Sequence, residues 1–168
     1  FENNNINIGI IYRNYHNQNK ESDLIKIATE CKKRRIKLYI ANSIKLAIKV
    51  KAAGIYIPAF NRNKRFSNHE KKGLTIIGSA HNQKEIQQKI MQKCNAIFLA
   101  PIFKVKKRKD HLNIHKFNLL ARSNKADFLA LGGISKKNIT KLKIVHIKGF
   151  GGISFFQKKN RPFYRPAF

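Results

Sequence analysis

Short apolar runs alternate with stretches of helical spacing along most of the chain. Runs over Asn7–Tyr12, Lys37–Ala41, Gly54–Ile57, Leu74–Gly78, Ala96–Ala100, Phe128–Leu131 and Phe150–Ser154 are rich in Ile, Leu, Phe or Tyr. Each is too short for a helix and predicts a strand. Between them, Leu24, Ile27, Ala28 and Cys31 fall at i, i+3, i+4 and i+7, one face of a helix. Ile44, Ala47 and Ile48 repeat the pattern, as do Ile86 and Ile90. Asn82 followed by Glu85 has the spacing of a capping box and predicts a helix start. Gly54, directly after the second helical stretch, predicts a helix stop leading into a strand.

Strand–helix alternation means βαβ units, and so a parallel sheet covered by helices. Seven strands favour a barrel over an open sheet. The expected fold class is α/β, a (βα)8 TIM-type barrel whose first βα unit is absent from this chain and would precede Phe1. One domain is expected over residues 1–156, carrying strands two to eight. Residues 157–168, with Pro162, Pro166 and interleaved aromatic and basic side chains, read as an extended tail.

Composition narrows the classes. The apolar fraction of 42% supplies a core, which excludes a disordered basic tail. No apolar run approaches the ~18 residues of a membrane span, and no signal-peptide pattern opens the chain, so a cytoplasmic protein is expected. Cys31 and Cys94 suggest neither a disulfide framework nor zinc, and His111 and His115, at i and i+4, lack acidic or cysteine partners. Lys and Arg number 36 against 8 Asp and Glu, a net charge of +28. That charge first suggests nucleic acid. Its distribution weakens the inference, because the positives are mostly lysines spread among Ile and Asn, as A/T-biased coding would give. Anionic small molecules suit the same surface.

In a parallel barrel, chemistry sits at the C-terminal ends of the strands. Those ends read Arg13, Asn42, Asn61, Ser79-Ala80-His81, Pro101-Ile102-Phe103, Gly132-Gly133-Ile134 and Gly151-Gly152-Ile153-Ser154. With an unseen first strand, Gly132-Gly133 ends strand seven and Gly151-Gly152 lies in strand eight, which Ser154 closes; barrels commonly bind phosphate there on backbone N–H groups. Tight turns would use the same glycines. Arg13 offers a bidentate phosphate clamp, against the alternative of a solvated arginine. His81 reads as a hydrogen-bonded packing residue. No P-loop, nucleophile elbow or dinucleotide fingerprint occurs.

Taken in series, these segments resemble the thiamine-phosphate synthase and thiazole tautomerase family. The matching stretches are Ile10-Ile11-Tyr12-Arg13, Ile40-Ala41-Asn42-Ser43 with Leu46-Ala47, Ala53-Gly54-Ile55-Tyr56-Ile57, Ile76-Ile77-Gly78-Ser79-Ala80-His81, Ala100-Pro101-Ile102-Phe103, Ala130-Leu131-Gly132-Gly133-Ile134 and Gly151 to Ser154. The resemblance implies a transferase that joins hydroxymethylpyrimidine diphosphate to thiazole phosphate, releasing pyrophosphate and forming thiamine phosphate. It implies Arg13, Asn42 and Ser79 on the pyrimidine diphosphate, with Arg108 and its neighbours Lys106 and Lys107 on the leaving group. It places the thiazole phosphate at Gly132, Gly133, Gly152, Ile153 and Ser154. The family's two magnesium aspartates fall at Ser43 and Asn61, so the sequence leaves Mg²⁺ open. Arg13 and Arg108 are thus the catalytic candidates. A non-catalytic or regulatory phosphate-binding barrel is the first alternative. A tautomerase is weaker, because Ala100-Pro101 offers no histidine for proton transfer, and a nucleic-acid-binding module is weakest. Oligomeric state is not legible.

Overall fold

The computed structural model describes residues 8–13, 20–68, 73–106 and 110–156. Its seven strands form one sheet in chain order: β1 Gly9–Tyr12, β2 Lys37–Ala41, β3 Gly54–Ile57, β4 Thr75–Ala80, β5 Ala96–Leu99, β6 Asp127–Leu131 and β7 Gly149–Gly151. Every neighbouring pair is parallel. Four helices cross between strands: α1 Lys20–Lys33, α2 Ile44–Lys49, α3 Gln83–Met91 and α4 Asn113–Arg122. The β3–β4 and β6–β7 crossings carry 3-10 turns instead, Lys64–Asn68 and Ile139–Ile144.

Strand alternation sorts the core into layers. Ile40, Ile55, Ile57 and Ile76 point outward and meet Leu24, Cys31 and Ala47 of α1 and α2. Ile97, Leu99, Phe128 and Ala130 meet Ile86 of α3 and Phe117 and Ala121 of α4. The other face gathers Tyr39, Tyr56, Ile77 and Phe98 with Ile11, Leu129 and Leu131. Side chains from six strands pack together there because the sheet is curled around them. A Cβ on Gly151 of β7 would lie 2.8 Å from the Phe98 ring of β5, so the concave face is filled even where β7 offers only glycine. The architecture is a curled parallel half-barrel of seven strands.

Several expectations are corrected. The run Phe150–Ser154 ends as a strand at Gly151, and Ser154 lies in the turn beyond it. Ile48 is exposed; Ala47 is the fully buried residue of α2. Gly54 is not a helix stop but a strand residue, whose added Cβ would fall 1.9 Å from the Thr75 carbonyl oxygen. Helix α2 instead closes at Val50 and Lys51, the latter with φ +50°. The helix start at Asn82 is as expected, its Oδ1 accepting from the Glu85 N–H at 3.0 Å. The reciprocal arm goes to His81, whose N–H and Nδ1 lie 2.7 and 2.9 Å from Glu85 Oε2. His81 is thus hydrogen-bonded, as expected, and its side chain is partly exposed. The tail, residues 157–168, lies outside the described residues.

Candidate active site

The strand ends bring one group of predicted residues into contact. Arg13 follows β1, and its guanidinium carbon stands 5.5 Å from the centroid of the Tyr56 ring in β3, within cation–π reach. Tyr56 is 3% exposed, and its hydroxyl donates to Ser79 Oγ in β4 at 2.9 Å. Each buried hydroxyl thus has a partner, and the ring is held with one face toward Arg13. Ser79 accepts with its oxygen and keeps its own proton to donate.

Asn42 follows β2 with φ +57°, a left-handed conformation that asparagine tolerates better than most residues. Its N–H donates to the Tyr56 carbonyl at 3.0 Å, and its Oδ1 accepts from Asn61 Nδ2 at 2.8 Å. Asn61 Oδ1 in turn accepts from the Asn63 N–H at 2.9 Å. Arg13, Tyr56, Ser79, Asn42 and Asn61 therefore form one connected assembly across β1 to β4.

Two buried residues of the helix layer reach the same place. Lys89 and Gln92 are both 0% exposed. Lys89 Nζ donates to the carbonyls of Pro58 and Asn61, each at 2.8 Å, and to Gln92 Oε1 at 2.9 Å. Gln92 Nε2 donates to the carbonyls of Asn61 and Asn63, at 3.1 and 2.9 Å. Burial brings the Lys89 ammonium down to about 8, and burial pushes the neighbouring Cys94 thiol up to about 12. Sequence reasoning passed over Tyr56, Lys89 and Gln92. The available signal was Lys89 itself, a charge three residues beyond Ile86 on the inward face of its helix.

The glycine pair at the end of β6 has a backbone reason. Gly132 and Gly133 hold φ of +93° and +70°. A Cβ on Gly132 would lie 2.6 Å from Pro101 Cβ, and one on Gly133 would lie 2.6 Å from the Phe103 carbonyl oxygen. The segment after β5 is zipped onto this turn through Ile102 N–H to Leu131 O and Phe103 N–H to Gly132 O. Asn138 Nδ2 closes the turn on Gly133 O at 2.8 Å. Beyond β7, Ile153 and Ser154 are exposed and Gly152 is partly buried. Lys106 is exposed in the segment after β5; Lys107 and Arg108 lie outside the described residues.

The positions expected for magnesium aspartates do not fit a hard divalent cation, which draws on carboxylates together with substrate phosphates. Ser43 caps α2, its Oγ accepting from the Leu46 N–H at 3.3 Å. Asn61 is neutral, and both ends of its amide are engaged. Among the described residues, no three His, Cys, Asp or Glu side chains gather as a metal site.

Volume does not mark this site. A groove of about 710 Å³ opens at the opposite, N-terminal end of the sheet, between α1 and α2, with Arg35, Lys37 and Lys51 among its lining. It is the gap between two helix ends, and none of the strand-end residues lines it.

Strand-end polarity on a curled parallel sheet has a counterpart among known proteins. The sequence model of the thiamine monophosphate synthase family matches residues 8–156, every strand included. The chain belongs to that family. The thiamine-phosphate synthase of Prochlorococcus marinus is 30% identical over 145 residues, covering 82% of this chain and 41% of that protein. The thiamine-phosphate synthase of Prochlorococcus marinus subsp. pastoris is 29% identical over 124 residues, covering 72% of this chain and 35% of that protein. The chain thus spans about two fifths or less of the length of these relatives. Among solved structures, thiamine phosphate pyrophosphorylase from Pyrococcus furiosus superposes with a TM-score of 0.70 at 14% identity, over 87% of this chain and 71% of that one. N-(5'-phosphoribosyl)anthranilate isomerase from Pyrococcus furiosus gives 0.60 at 14% identity, over 90% and 78%. At such identities the likeness is one of fold. No helix of the described residues is long and apolar enough to cross a membrane.

Proposed function

We propose that this chain carries the transferase site of a thiamine-phosphate synthase, condensing hydroxymethylpyrimidine diphosphate with thiazole phosphate. The C–O bond of the pyrimidine diphosphate breaks with both electrons leaving on pyrophosphate. The thiazole nitrogen lone pair then forms the new C–N bond to the resulting carbocation. The negative charge that builds on the departing pyrophosphate as the bond breaks must be neutralised by the protein. The observation that carries the reading is the Arg13–Tyr56–Ser79 assembly, a cation seated on a buried aromatic ring at a strand end.

Arg13 takes the diphosphate and stabilises its departure, and Lys106, Lys107 and Arg108, which follow β5 in the sequence, supply further positive charge for it. Asn42 and Ser79 orient the pyrimidine by their amide and hydroxyl. The backbone at Gly132, Gly133, Gly152, Ile153 and Ser154 seats the thiazole phosphate. No step is assigned to Mg²⁺: cationic side chains replace it, a reading supported by the neutral, occupied donors at Ser43 and Asn61. Within the described sheet β1 pairs with β2 and β7 with β6. An additional strand between those two edges, supplied by a first βα unit, completes a (βα)8 barrel over the domain. Phosphorylated, diffusible substrates suit a cytoplasmic enzyme.

Arg13→Ala tests the reading: affinity for the pyrimidine diphosphate should fall at least tenfold, the scale of one charge-assisted contact, as read by calorimetry. Unchanged affinity removes Arg13 from the site. The missing carboxylates favour a second reading, a barrel that binds these phosphates without turning them over. Binding of either substrate by a folded protein that makes no product would select it.

A further inference from the structure

Residues 58–63, which follow β3, carry Asn61 and lie partly at the surface. Locally they are shaped by a backbone turn, Asn61 N–H to Pro58 O at 3.1 Å, and by short side-chain turns, Asn61 Oδ1 to the Asn63 N–H and Asn63 Oδ1 to the Arg65 N–H. Besides the Asn61–Asn42 bond, four hydrogen bonds from Lys89 and Gln92 tie their backbone carbonyls to α3 and its C-terminal end. We infer that Lys89, with Gln92, is a positioning residue for the strand-end site, fixing the 58–63 segment and through it the Asn61–Asn42 amide pair. The inference rests on the transferase reading for its catalytic consequence, but not for its structural one.

The match between group and place is complete. An ammonium has three protons to donate, and Lys89 finds three oxygens within 2.9 Å: Pro58 O, Asn61 O and Gln92 Oε1. Its stem lies over the outer face of β4, where a Cβ on Gly78 would sit 2.9 Å from Lys89 Cδ. Two separate sequence choices, glycine at 78 and lysine at 89, are therefore needed for one contact. An apolar side chain would fill this helix face without desolvating a charge, so stability alone does not account for the lysine. The acceptors are backbone carbonyls, and one belongs to Asn61, the residue that bonds Asn42. The segment is thereby organised by a cation belonging to the chain itself, beside a position whose side chain is neutral.

Lys89→Met tests this with little threat to the fold. Pro58 O keeps the Asn61 N–H, and Asn61 O keeps Gln92 Nε2. In a Lys89→Met protein that retains its circular dichroism, amides 61–65 should exchange about tenfold faster, the scale of one lost buried hydrogen bond. The KM for hydroxymethylpyrimidine diphosphate should rise about as much, with kcat changed less. The titratable groups that bear on Lys89 are Cys94 and Glu85. The wild-type KM should climb above a pH of about 8 as the ammonium loses its third proton, and Lys89→Met should lack that limb. Wild-type turnover reports separately on the transferase reaction; without it, exchange rates and inorganic pyrophosphate affinity still report on Lys89. Unchanged exchange at 61–65 in folded Lys89→Met overturns the inference. So does faster exchange with unaltered KM and pyrophosphate affinity.

Discussion

Tyr56 shows how one residue serves packing and site together. Its ring fills the concave face beside Tyr39, Ile77 and Phe98, while its edge hydroxyl and outer face meet Ser79 and Arg13. Tyr56→Phe keeps the ring and strands Ser79, so it should cost about 1 kcal/mol in chemical unfolding and leave Arg13-dependent diphosphate binding largely intact. Tyr56→Ala should lose both. Arg13, Asn42 and Ser79 were legible in the sequence because a polar residue ending an apolar run is conspicuous. Tyr56 was not, because an aromatic inside a strand reads as core. A different residue-scale feature is a liability: Lys51 and Lys93 hold φ of +50° and +54° just past their helices. Glycine relieves that backbone, offset by lost helix-dipole contact, so Lys51→Gly and Lys93→Gly should each raise stability by about 0.5–1 kcal/mol, measured as ΔG in urea.

At the scale of elements, the glycine turn after β6 and helix α3 do the positioning. Gly133→Ala meets a carbonyl oxygen at 2.6 Å in a left-handed backbone. It should cost about 2–4 kcal/mol in urea unfolding, with weaker thiazole phosphate binding by any molecules that fold. The sequence showed the glycines but not the Pro101–Lys104 segment pressed against them, since close approach between two strand-end loops leaves no local signal. Helix α4 escaped notice for a related reason: Phe117 and Ala121 make only a short inward stripe, and the exposed Leu119 between them blurs the helical spacing. Helix α3 also makes stability pH-dependent. The folded chain gives up the Lys89 proton near 8, whereas the unfolded chain holds it to 10.5. Stability is therefore lost as pH falls through 8 and regained as it rises, by about 1 kcal/mol between pH 8 and 9. The Cys94 thiol, held protonated to about 12, takes stability away only above its ordinary 9. Thermal or urea unfolding across pH 8–9 should show the gain in wild type and none in Lys89→Met.

For the whole molecule, strand count, strand order and parallel sense were readable from alternation alone, because each apolar run is fenced by polar or glycine residues. The barrel expected from seven strands is met in part by the curl of the sheet; the packing inside it left no local signal, because it joins strands distant in sequence, as Phe98 of β5 does against Gly151 of β7. Net charge of +28 is a property of the surface, not of the fold. If it served nucleic acid, duplex DNA would bind with a steep salt slope; the account predicts no measurable binding by fluorescence anisotropy at about 150 mM salt. The measurement that bears most directly on the account is thiamine phosphate formation by the intact protein from hydroxymethylpyrimidine diphosphate and thiazole phosphate, with Mg²⁺ and with chelator. The account predicts product in both conditions, lost in Arg13→Ala. No product from folded protein under either condition, or product that disappears with chelator, would contradict it.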